Sequence, residues 1–317
     1  MKKWITQNRQ LLLRGAGSLL AFGLLVFLIV QNWNAIVVAL RQIPLWRFLL
    51  ATALIFVSRF FVVGRWHILL RAAKFSISFS RTAALTFTGL FANNFLPTTI
   101  GGDVVRFAGA AEMGYDSSIV LASLVADRLI GMAGMATVLP FGLIPLWSWG
   151  AGKISQSISL VAFWNKAWGF VVRTIQALTI WLKKPVSLLE AYGLTWGHLL
   201  CFFGAVSVLL TGLNTHVPFW TIAGLLSIVY FLTQIPISIN GYGVQELSQT
   251  YLFVHLAGVS LPNAITLALL IRVIFMIASL PGAFYLPSIL TAIDKAKTSK
   301  ISSQMEEITD SGEKYNI

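Results

Sequence analysis

The side chains best placed to do chemistry in this sequence are charged residues inside long apolar runs. Asp127 and Arg128 lie about ten residues into the apolar run 117–146, and Arg272 lies equally deep in the run 262–286. A charge at the centre of a bilayer costs about 2.5–3.5 kcal/mol even on the most lenient insertion scale. Such residues therefore need a reason to be retained.

Two interpretations of these charges remain open. In the first, opposite charges pair and lock short helices onto long ones, with Arg106 or Arg128 bound to Asp103 or Asp127, and Arg272 bound to Glu246. In the second, some of the charges contact an anionic headgroup or respond to one. Both can hold in one protein, because a pair that exchanges partners is a natural gate. Arg59 also lies in an apolar run, and we expect it to snorkel to the interface.

Two segments that interrupt helices lie beside these charges. They share a proline followed by a glycine pair or near pair and a charged residue: Pro97, Gly101, Gly102 and Asp103 in the first, and Pro236, Gly241, Gly243 and Glu246 in the second. Proline cannot continue a helix, and glycine lets the backbone turn and pack closely. A broken helix at membrane depth is tolerated only where it is buried in protein or lines a polar cavity. The N–H groups that begin the following half-helix suit a phosphate or carboxylate.

The two breaks belong to an internal repeat. Besides the similar breaks, the segment Gly114–Met132 aligns without gaps on Gly258–Met276, which places Arg128 opposite Arg272. The sequence therefore predicts two related halves that contain broken or re-entrant helices. With the N-terminus inside, the two breaks would enter from opposite faces, as in inverted-repeat transporters. The span count leaves the side of the C-terminus open.

The elements that position these residues are membrane-spanning helices. Hydrophobic residues make up 57% of the 317 positions and charged residues only 11%, against about 25% charged in a soluble domain. The apolar runs are continuous, which favours helices over β-barrel strands. We therefore predict an all-α, polytopic helical membrane bundle with seven to eight spans. Candidate spans are 15–31, 48–64, 82–96, 117–146, 197–213, 219–235 and 262–286, with 244–259 as a short segment that a re-entrant helix would explain.

The remaining segments are assigned no chemistry. Residues 1–290 form the predicted membrane domain, with a basic amphipathic helix near 164–184 that is expected to lie in the interface, or else to pack on the bundle. Residues 291–317 read as a flexible polar tail. Eleven of the 23 basic residues fall in the first 81 positions, with no acidic residue among them. By the positive-inside rule we expect a multi-pass protein of the plasma or inner membrane with a cytoplasmic N-terminus.

Several function classes lack support in the sequence. The four histidines show no metal-ligand spacing, and the single cysteine, Cys201, lies in an apolar run, so no metal site or cofactor is expected. No nucleophilic triad, phosphate-binding loop or paired catalytic carboxylates are found, which argues against an enzyme acting alone. The net charge of +12 is explained by basic loops beside spans, so nucleic acid is not an expected partner.

Three ordered motifs resemble the lysylphosphatidylglycerol synthase transmembrane family, whose members are also called flippase-like domain proteins. They are residues 93–106, residues 125–131 and residues 236–246. The resemblance covers roughly residues 10 to 290 and implies a lipid-translocating or lipid-binding membrane module. In the best known members this module is joined to a soluble transferase, for which the short tail leaves no room. The chain therefore resembles the stand-alone membrane part.

Our leading hypothesis is a flippase-type transporter that binds the anionic headgroup of a phospholipid or of a polyprenyl-phosphate-linked glycan. Its headgroup site would lie between the two halves, beside the breaks and the buried charges: Pro97, Gly101, Gly102, Asp103, Arg106, Asp127, Arg128, Gly241, Gly243, Glu246 and Arg272. The alternative is a membrane-embedded subunit or partner of an aminoacyl or glycosyl transferase that modifies lipids. A purely structural role for the motifs, as helix-packing breaks, is a third possibility.

Overall fold

The computed structural model describes residues 23–95, 101–150, 184–234 and 243–287, and this part of the chain is helical and contains no strand. The fold is the predicted all-α helical bundle. In chain order the helices are α1 Gly23–Gln31, α2 Trp33–Gln42, α3 Leu45–Ala72, α4 Phe79–Phe95, α5 Gly101–Glu112, α6 Ser117–Gly150, α7 Pro185–Gly212, α8 Phe219–Gln234, α9 Val244–Ala257 and α10 Leu261–Ser279, which continues into a 3₁₀ turn, Leu280–Phe284.

Four segments are long and apolar enough to cross a membrane: Leu45–Ala72, Ser117–Leu146, Pro185–Gly212 and Leu261–Phe284. Each of the two 28-residue helices measures about 42 Å at 1.5 Å per residue, more than the bilayer core of about 30 Å. The pair α1 and α2 passes the same test only as one unit, and it is bent by 77°. The chain is thus a multi-pass membrane protein with four such helices, or five with the bent pair, among the described residues.

Local sequence signals explain where these helices begin and end. Pro44 precedes α3, and α7 and α10 each carry a proline in their first two positions, where a missing N–H costs no helical hydrogen bond. Gly114, just past α5, and Gly258, just past α9, adopt φ angles of +80° and +66°. Glycine reaches this left-handed region without the steric cost that a side chain would add. The two glycines occupy matching positions in the predicted repeat.

Helices α4 and α5 form a first hairpin around the first break. The side-chain oxygen of Asn93 accepts a hydrogen bond from the Gly102 N–H at 2.8 Å, and a Cβ on Gly89 would lie 2.7 Å from the Gly102 carbonyl oxygen. The two arms are therefore antiparallel and in close contact. The predicted span 82–96 does not cross the bundle by itself, because α4 has 17 residues and the chain folds back beside it.

Helices α8 and α9 form a second hairpin around the second break, and they contact each other along the bundle. The 16 residues of α8 reach about 24 Å. The predicted span 219–235 is thus the first arm of this hairpin, and the segment 244–259 is its second arm. The expected seven to eight spans counted these arms as separate crossings, whereas four helices of the described residues, or five with the bent pair, are long and apolar enough to cross a membrane.

The two hairpins enter from opposite ends of the bundle. At the first end, the Tyr115 hydroxyl donates to the Ser76 carbonyl at 3.1 Å, and these residues flank the first hairpin. At the second end, the Asn263 amide donates to the Leu213 carbonyl at 3.2 Å, and these residues flank the second hairpin. Helices α3 and α7 join the two ends in antiparallel fashion, because Lys184 binds the Ala72 carbonyl while Gly212 lies beside Ile43 and Arg47. The two hairpins are thus inverted relative to each other.

Each hairpin packs against the last helix of the other half. A Cβ on Gly224 of α8 would overlap the backbone of Phe141 and Gly142 in α6. A Cβ on Gly282, in the turn after α10, would overlap the Phe87 carbonyl of α4. Small residues let helix backbones approach closely in membranes, where lipid offers no hydrophobic drive to associate. The halves therefore interlock at these glycines, next to large side chains such as Phe141 and Trp220, whose rings stack at 5.0 Å.

The predicted amphipathic helix at 164–184 lies outside the described residues, apart from Lys184, and the predicted tail at 291–317 lies wholly outside them. The largest core of buried apolar side chains is formed mainly by α7, α8 and α10, with Phe203, Ile222 and Ile274 fully buried.

Candidate functional site

The first half contains a buried network of ion pairs centred on Asp127. Its Oδ1 accepts a hydrogen bond from Arg65 Nε at 2.6 Å, and its Oδ2 accepts two from the terminal nitrogens of Arg106, each at 3.2 Å. Both arginine side chains are 9% exposed and the Asp127 side chain 3%. A buried carboxylate that binds two guanidinium groups has its lone pairs satisfied, which offsets the cost of taking these charges out of water.

Asp103 extends this network to a second arginine on α6. It is the third residue of α5, where it accepts from Arg106 at 3.3 Å and from the Nε of Arg128. The Arg128 side chain remains 42% exposed despite this contact, although the residue lies in the interior of a membrane-spanning helix. Three arginines and two aspartates leave the network with one excess positive charge.

Neighbouring residues hold the network in place. The guanidinium of Arg106 lies 4.1 Å above the centre of the Trp66 ring, whose Nε1 donates to the Ser123 hydroxyl at 3.1 Å. The Thr195 hydroxyl of α7 accepts from Arg65 at 3.3 Å. A Cβ on Gly131 would lie 3.1 Å from an Arg65 nitrogen, so this glycine makes room for the guanidinium. The network thus ties together α3, α5, α6 and α7.

The second half contains a smaller group centred on Glu246. Its Oε1 lies 2.5 Å from the Arg272 guanidinium, and its Oε2 accepts the Gly243 N–H at 2.8 Å. Arg272 also donates to the Gln245 side chain at 3.3 Å. Glu246 therefore both caps the start of α9 and pairs with α10, and this group carries no excess charge.

The two groups occupy equivalent positions in the repeat. Asp103 and Glu246 are each the third residue of the second hairpin arm, and each pairs with an arginine on the long helix that follows. Three residues further along each arm, Arg106 corresponds to Gln249, and the alignment places Asp127 opposite the buried Ile271. The Gln249 side-chain nitrogen is buried and lacks a hydrogen-bond partner among the described residues.

Both hairpins reach the interior of the bundle near these charges. The Asn94 amide, at the end of α4, donates to the Phe275 carbonyl at 3.2 Å and to the Ser279 hydroxyl at 2.9 Å, one to two turns from Arg272. The Ser227 hydroxyl of α8 donates to the Met135 carbonyl at 2.6 Å. Because α8 and α6 are antiparallel, the seven residues that follow Ser227 bring α8 to the level of Arg128.

The structure places the predicted charged residues in two groups, one in each half. Ion pairing of Arg106 and Arg128 with Asp103 and Asp127, and of Arg272 with Glu246, occurs as the first interpretation expected. Gly101 and Gly102 begin α5, and Gly243 precedes α9. Asp103 lies in the first turn of α5, but its side chain binds arginines. The backbone N–H of Gly102, at the start of that helix, is bound by the Asn93 side chain instead. Pro97 and Gly241 lie outside the described residues.

The principal residue that the sequence analysis missed is Arg65. The apolar run was ended at 64, but α3 continues to Ala72 and places Arg65 inside a span. Part of the signal was present, since four of the five residues from 66 to 70 are apolar and only His67 is not. Among the described residues no group of three metal-ligating side chains occurs.

The fold and these charges define a multi-pass α-helical membrane protein with two hairpins of opposite orientation and buried ion pairs beside each break. The chain belongs to the lysylphosphatidylglycerol synthase TM region family, whose family model matches residues 15–172 and 152–282. No curated protein shows a significant match to the chain.

Proposed function

We propose that this protein is a flippase-type lipid transporter that binds an anionic headgroup between its two hairpins. The observation that carries the proposal is Arg128, a charged side chain in the interior of a membrane-spanning helix that is 42% exposed. Intramembrane charges are expensive and face a bundle interior or a polar cavity rather than lipid. An exposed arginine at this depth is therefore suited to a phosphate that passes through the bundle.

The charges around Arg128 fit a ligand with one negative charge. The network of three arginines and two aspartates has an excess of one positive charge, which a phosphodiester would neutralise. Guanidinium groups bind phosphate oxygens through charge-assisted hydrogen bonds that are about twice as strong as neutral ones. The phosphate belongs to a phospholipid or to a polyprenyl-linked glycan, and the lipid chains stay in the bilayer.

Exchange of ion-pair partners supplies a mechanism. Without ligand, Asp103 holds Arg128 and so ties α5 to α6. A headgroup phosphate competes with Asp103 for Arg128, and Asp103 keeps its contact with Arg106. The equivalent pair Glu246–Arg272 ties α9 to α10 from the opposite end. Alternate release of the two hairpins would open the site to one end of the bundle and then to the other.

A reconstitution assay tests this function. Purified protein is placed in phosphatidylcholine vesicles with a trace of fluorescent phosphatidylglycerol, and dithionite quenching measures how fast the lipid crosses. We expect Arg128→Gln to slow crossing at least tenfold, because a charge-assisted contact of about 1.5–3 kcal/mol is lost. The matched control is Arg71→Gln, which removes an exposed arginine in the last turn of α3.

Equal rates for Arg128→Gln and the unmodified protein would overturn the charge-based site. The polyprenyl-linked alternative is tested by replacing the fluorescent phosphatidylglycerol with a fluorescent polyprenyl phosphate.

We also propose a location in the plasma or inner membrane with the N-terminus in the cytoplasm. Labelling of an N-terminal cysteine tag in intact cells checks this location.

The description of the family names a synthase, which favours a second candidate function. In it, the chain is the membrane-embedded partner of a soluble transferase that modifies lipids. This candidate predicts that a modified lipid forms only when the transferase is added, and that vesicles with this chain alone show no lipid crossing. The same vesicle assay, with and without the added transferase, separates the two functions.

A further inference from the structure

Arg59 lies at the middle of its helix, as far as a residue can be from both helix ends. It lies at the centre of α3, fourteen residues after Leu45 and thirteen before Ala72. Each end of the helix is thus about 20 Å away along the axis. An arginine side chain spans roughly a third of that distance, so it cannot bring its charge to the interface. The expected snorkelling of Arg59 is corrected by the length of α3.

No carboxylate neutralises Arg59 among the described residues. Six acidic residues precede Asp294 in the sequence, and all six fall in described segments. Three of them, Asp103, Asp127 and Glu246, bind other arginines. The other three lie toward the first end of the bundle, and none forms an ion pair with Arg59: Glu112, Asp116 and Glu190. The two hairpin breaks and the segment 151–183 contain no acidic residue.

The surroundings of Arg59 form a small basic and aromatic site. Its guanidinium carbon lies 4.5 Å above the centre of the Phe275 ring, and its Nε is buried without a hydrogen-bond partner. His198 lies across from it on α7, because the neighbouring Gly197 touches Phe61 of α3. The Nδ1 atom of His198 is also buried and unpartnered among the described residues. Two side chains, each with a buried nitrogen that lacks a hydrogen-bond partner among the described residues, therefore lie at one level of the bundle.

Aromatic rings surround this site, and two phenylalanines beside it are exposed on the outside of the bundle. His198 stacks on Phe202 at 6.4 Å, and Phe202 lies 5.6 Å from Phe275. On the same stretch of α3, Phe56 and Phe60 are exposed, and Arg59 itself is half-buried. A cation–π contact contributes about 0.5–2 kcal/mol, which is less than the cost of an unpaired charge in the membrane. Phe275 therefore does not by itself account for Arg59.

We propose that Arg59 and His198 form a second anion site, which holds the phosphate of a membrane lipid at mid-depth of the bundle, apart from the ion-pair networks at the breaks. The phosphate accepts hydrogen bonds from the Arg59 guanidinium and from the His198 ring, and the acyl chains lie along the exposed Phe56 and Phe60. An arginine bound to one phosphate is neutral overall, which removes the cost of the unpaired charge.

This site does not depend on the proposed transport function. The Arg59 site would exist in a transporter and in a transferase partner alike, because it follows from an unpaired charge and not from the breaks. The Asn94 amide, which binds the Phe275 carbonyl, connects this ring to the end of α4. A lipid at Arg59 therefore lies next to the first hairpin and can stabilise its position.

Binding measurements on delipidated protein in neutral detergent test the site. Native mass spectrometry follows the titration with phosphatidylglycerol, with diacylglycerol as the lipid without phosphate and inorganic phosphate as the anion without acyl chains. The variants are Arg59→Met and Arg59→Lys, each compared with its parent in the Arg128→Gln background, so that the headgroup site of the proposed function does not contribute to the measured affinity. The control is Arg47→Met. Arg47 also lies over an aromatic ring, that of Trp46, but it is in the first turn of the same helix.

We expect Arg59→Met to bind phosphatidylglycerol at least tenfold more weakly, and Arg47→Met to bind it unchanged. Arg59→Lys keeps the charge and is expected to retain most of the affinity. Diacylglycerol should not distinguish the variants. If inorganic phosphate binds the unmodified protein and not Arg59→Met, the anion site stands and its ligand is free phosphate. Unchanged phosphatidylglycerol affinity in Arg59→Met would overturn the proposal.

Thermal unfolding gives a second readout with a predicted change of sign. In delipidated protein Arg59→Met should raise Tm, because an unpaired buried charge is removed, and phosphatidylglycerol should then raise Tm less than in the unmodified protein. A purely structural arginine predicts a lower Tm and an unchanged effect of lipid, which would contradict the proposal. If Arg59→Met does not fold, His198→Phe keeps the ring packing, removes both ring nitrogens and is measured in the same way.

Discussion

The two halves of the molecule share one scaffold and differ in their charges. Each consists of a long helix, a broken hairpin and a second long helix, and in each an acidic third residue of the hairpin arm binds an arginine. The first half adds Arg65, Arg106 and Asp127, whereas the second has Gln249 and Ile271 in place of the last two. One ion pair is therefore sufficient to dock a hairpin.

This difference separates scaffold from function. The second half shows that the fold does not require the larger network, because Glu246 and Arg272 position α9 without it. The added charges in the first half are buried at a desolvation cost and leave one positive charge in excess. Under the proposed function, that excess charge binds the headgroup, and the neutral second half serves mainly as the counterpart that moves.

The largest expected effect is at Asp127. The variant Asp127→Asn leaves Arg65 and Arg106 buried without their shared carboxylate, and breaking a buried pair in this way costs about 3–5 kcal/mol. We expect the Tm in detergent to fall well below that of Glu246→Gln, because the second group involves a single arginine. Equal Tm values for the two variants would remove the energetic distinction between the halves.

A slightly smaller effect is expected from rebuilding the first network in the second half. Gln249→Arg places a counterpart of Arg106 at a buried position where the repeat supplies Ile271 instead of Asp127, at a cost of about 2.5–3.5 kcal/mol. Adding Ile271→Asp should recover part of this loss, with a coupling energy of about 1–2 kcal/mol in a double-mutant cycle. Additive losses would mean that the two halves are not equivalent at these positions.

The glycine contacts between the halves are expected to have intermediate effects. Gly224→Ala and Gly282→Ala each force a backbone apart from its neighbour and should lower the free energy of unfolding by about 1–3 kcal/mol. Gly193→Ala is the control, since a Cβ there meets nothing within 4 Å and should stabilise the helix by about 0.5–1 kcal/mol. A loss at only one of the two contacts would show that the interlock is one-sided.

The smallest effect concerns the break in the first hairpin. Asn93→Ala removes the acceptor of the Gly102 N–H and should cost about 1 kcal/mol, the net contribution of one hydrogen bond. In the second hairpin Glu246 binds the N–H of Gly243, just before α9, so we expect no single asparagine there to have this effect. Hydrogen exchange at Gly102 measures the loss directly, and unchanged protection in Asn93→Ala would contradict this account of the break.

The ion pairs could be predicted from sequence more completely than the path of the chain. A charge in an apolar run needs a partner, and so few charges were present that Arg272 had only Glu246 nearby. The sequence did not show that α4 and α8 are hairpin arms, because both have the composition of spanning helices and hydropathy does not show where a chain folds back. Arg65 was missed for the related reason that the end of α3 could not be read from apolar residues alone.

The sequence by itself determined that this is a helical membrane protein of two related halves, because apolar composition, helix breaks and a repeat are properties of the chain. Only the tertiary structure decided that the hairpins enter from opposite ends, that Asp127 binds two arginines and that Arg59 pairs with no carboxylate of the described segments. These facts depend on which helices lie side by side. Contacts such as that of Arg65 with Asp127 join residues 62 positions apart, and no local sequence pattern shows that two such residues are close in space.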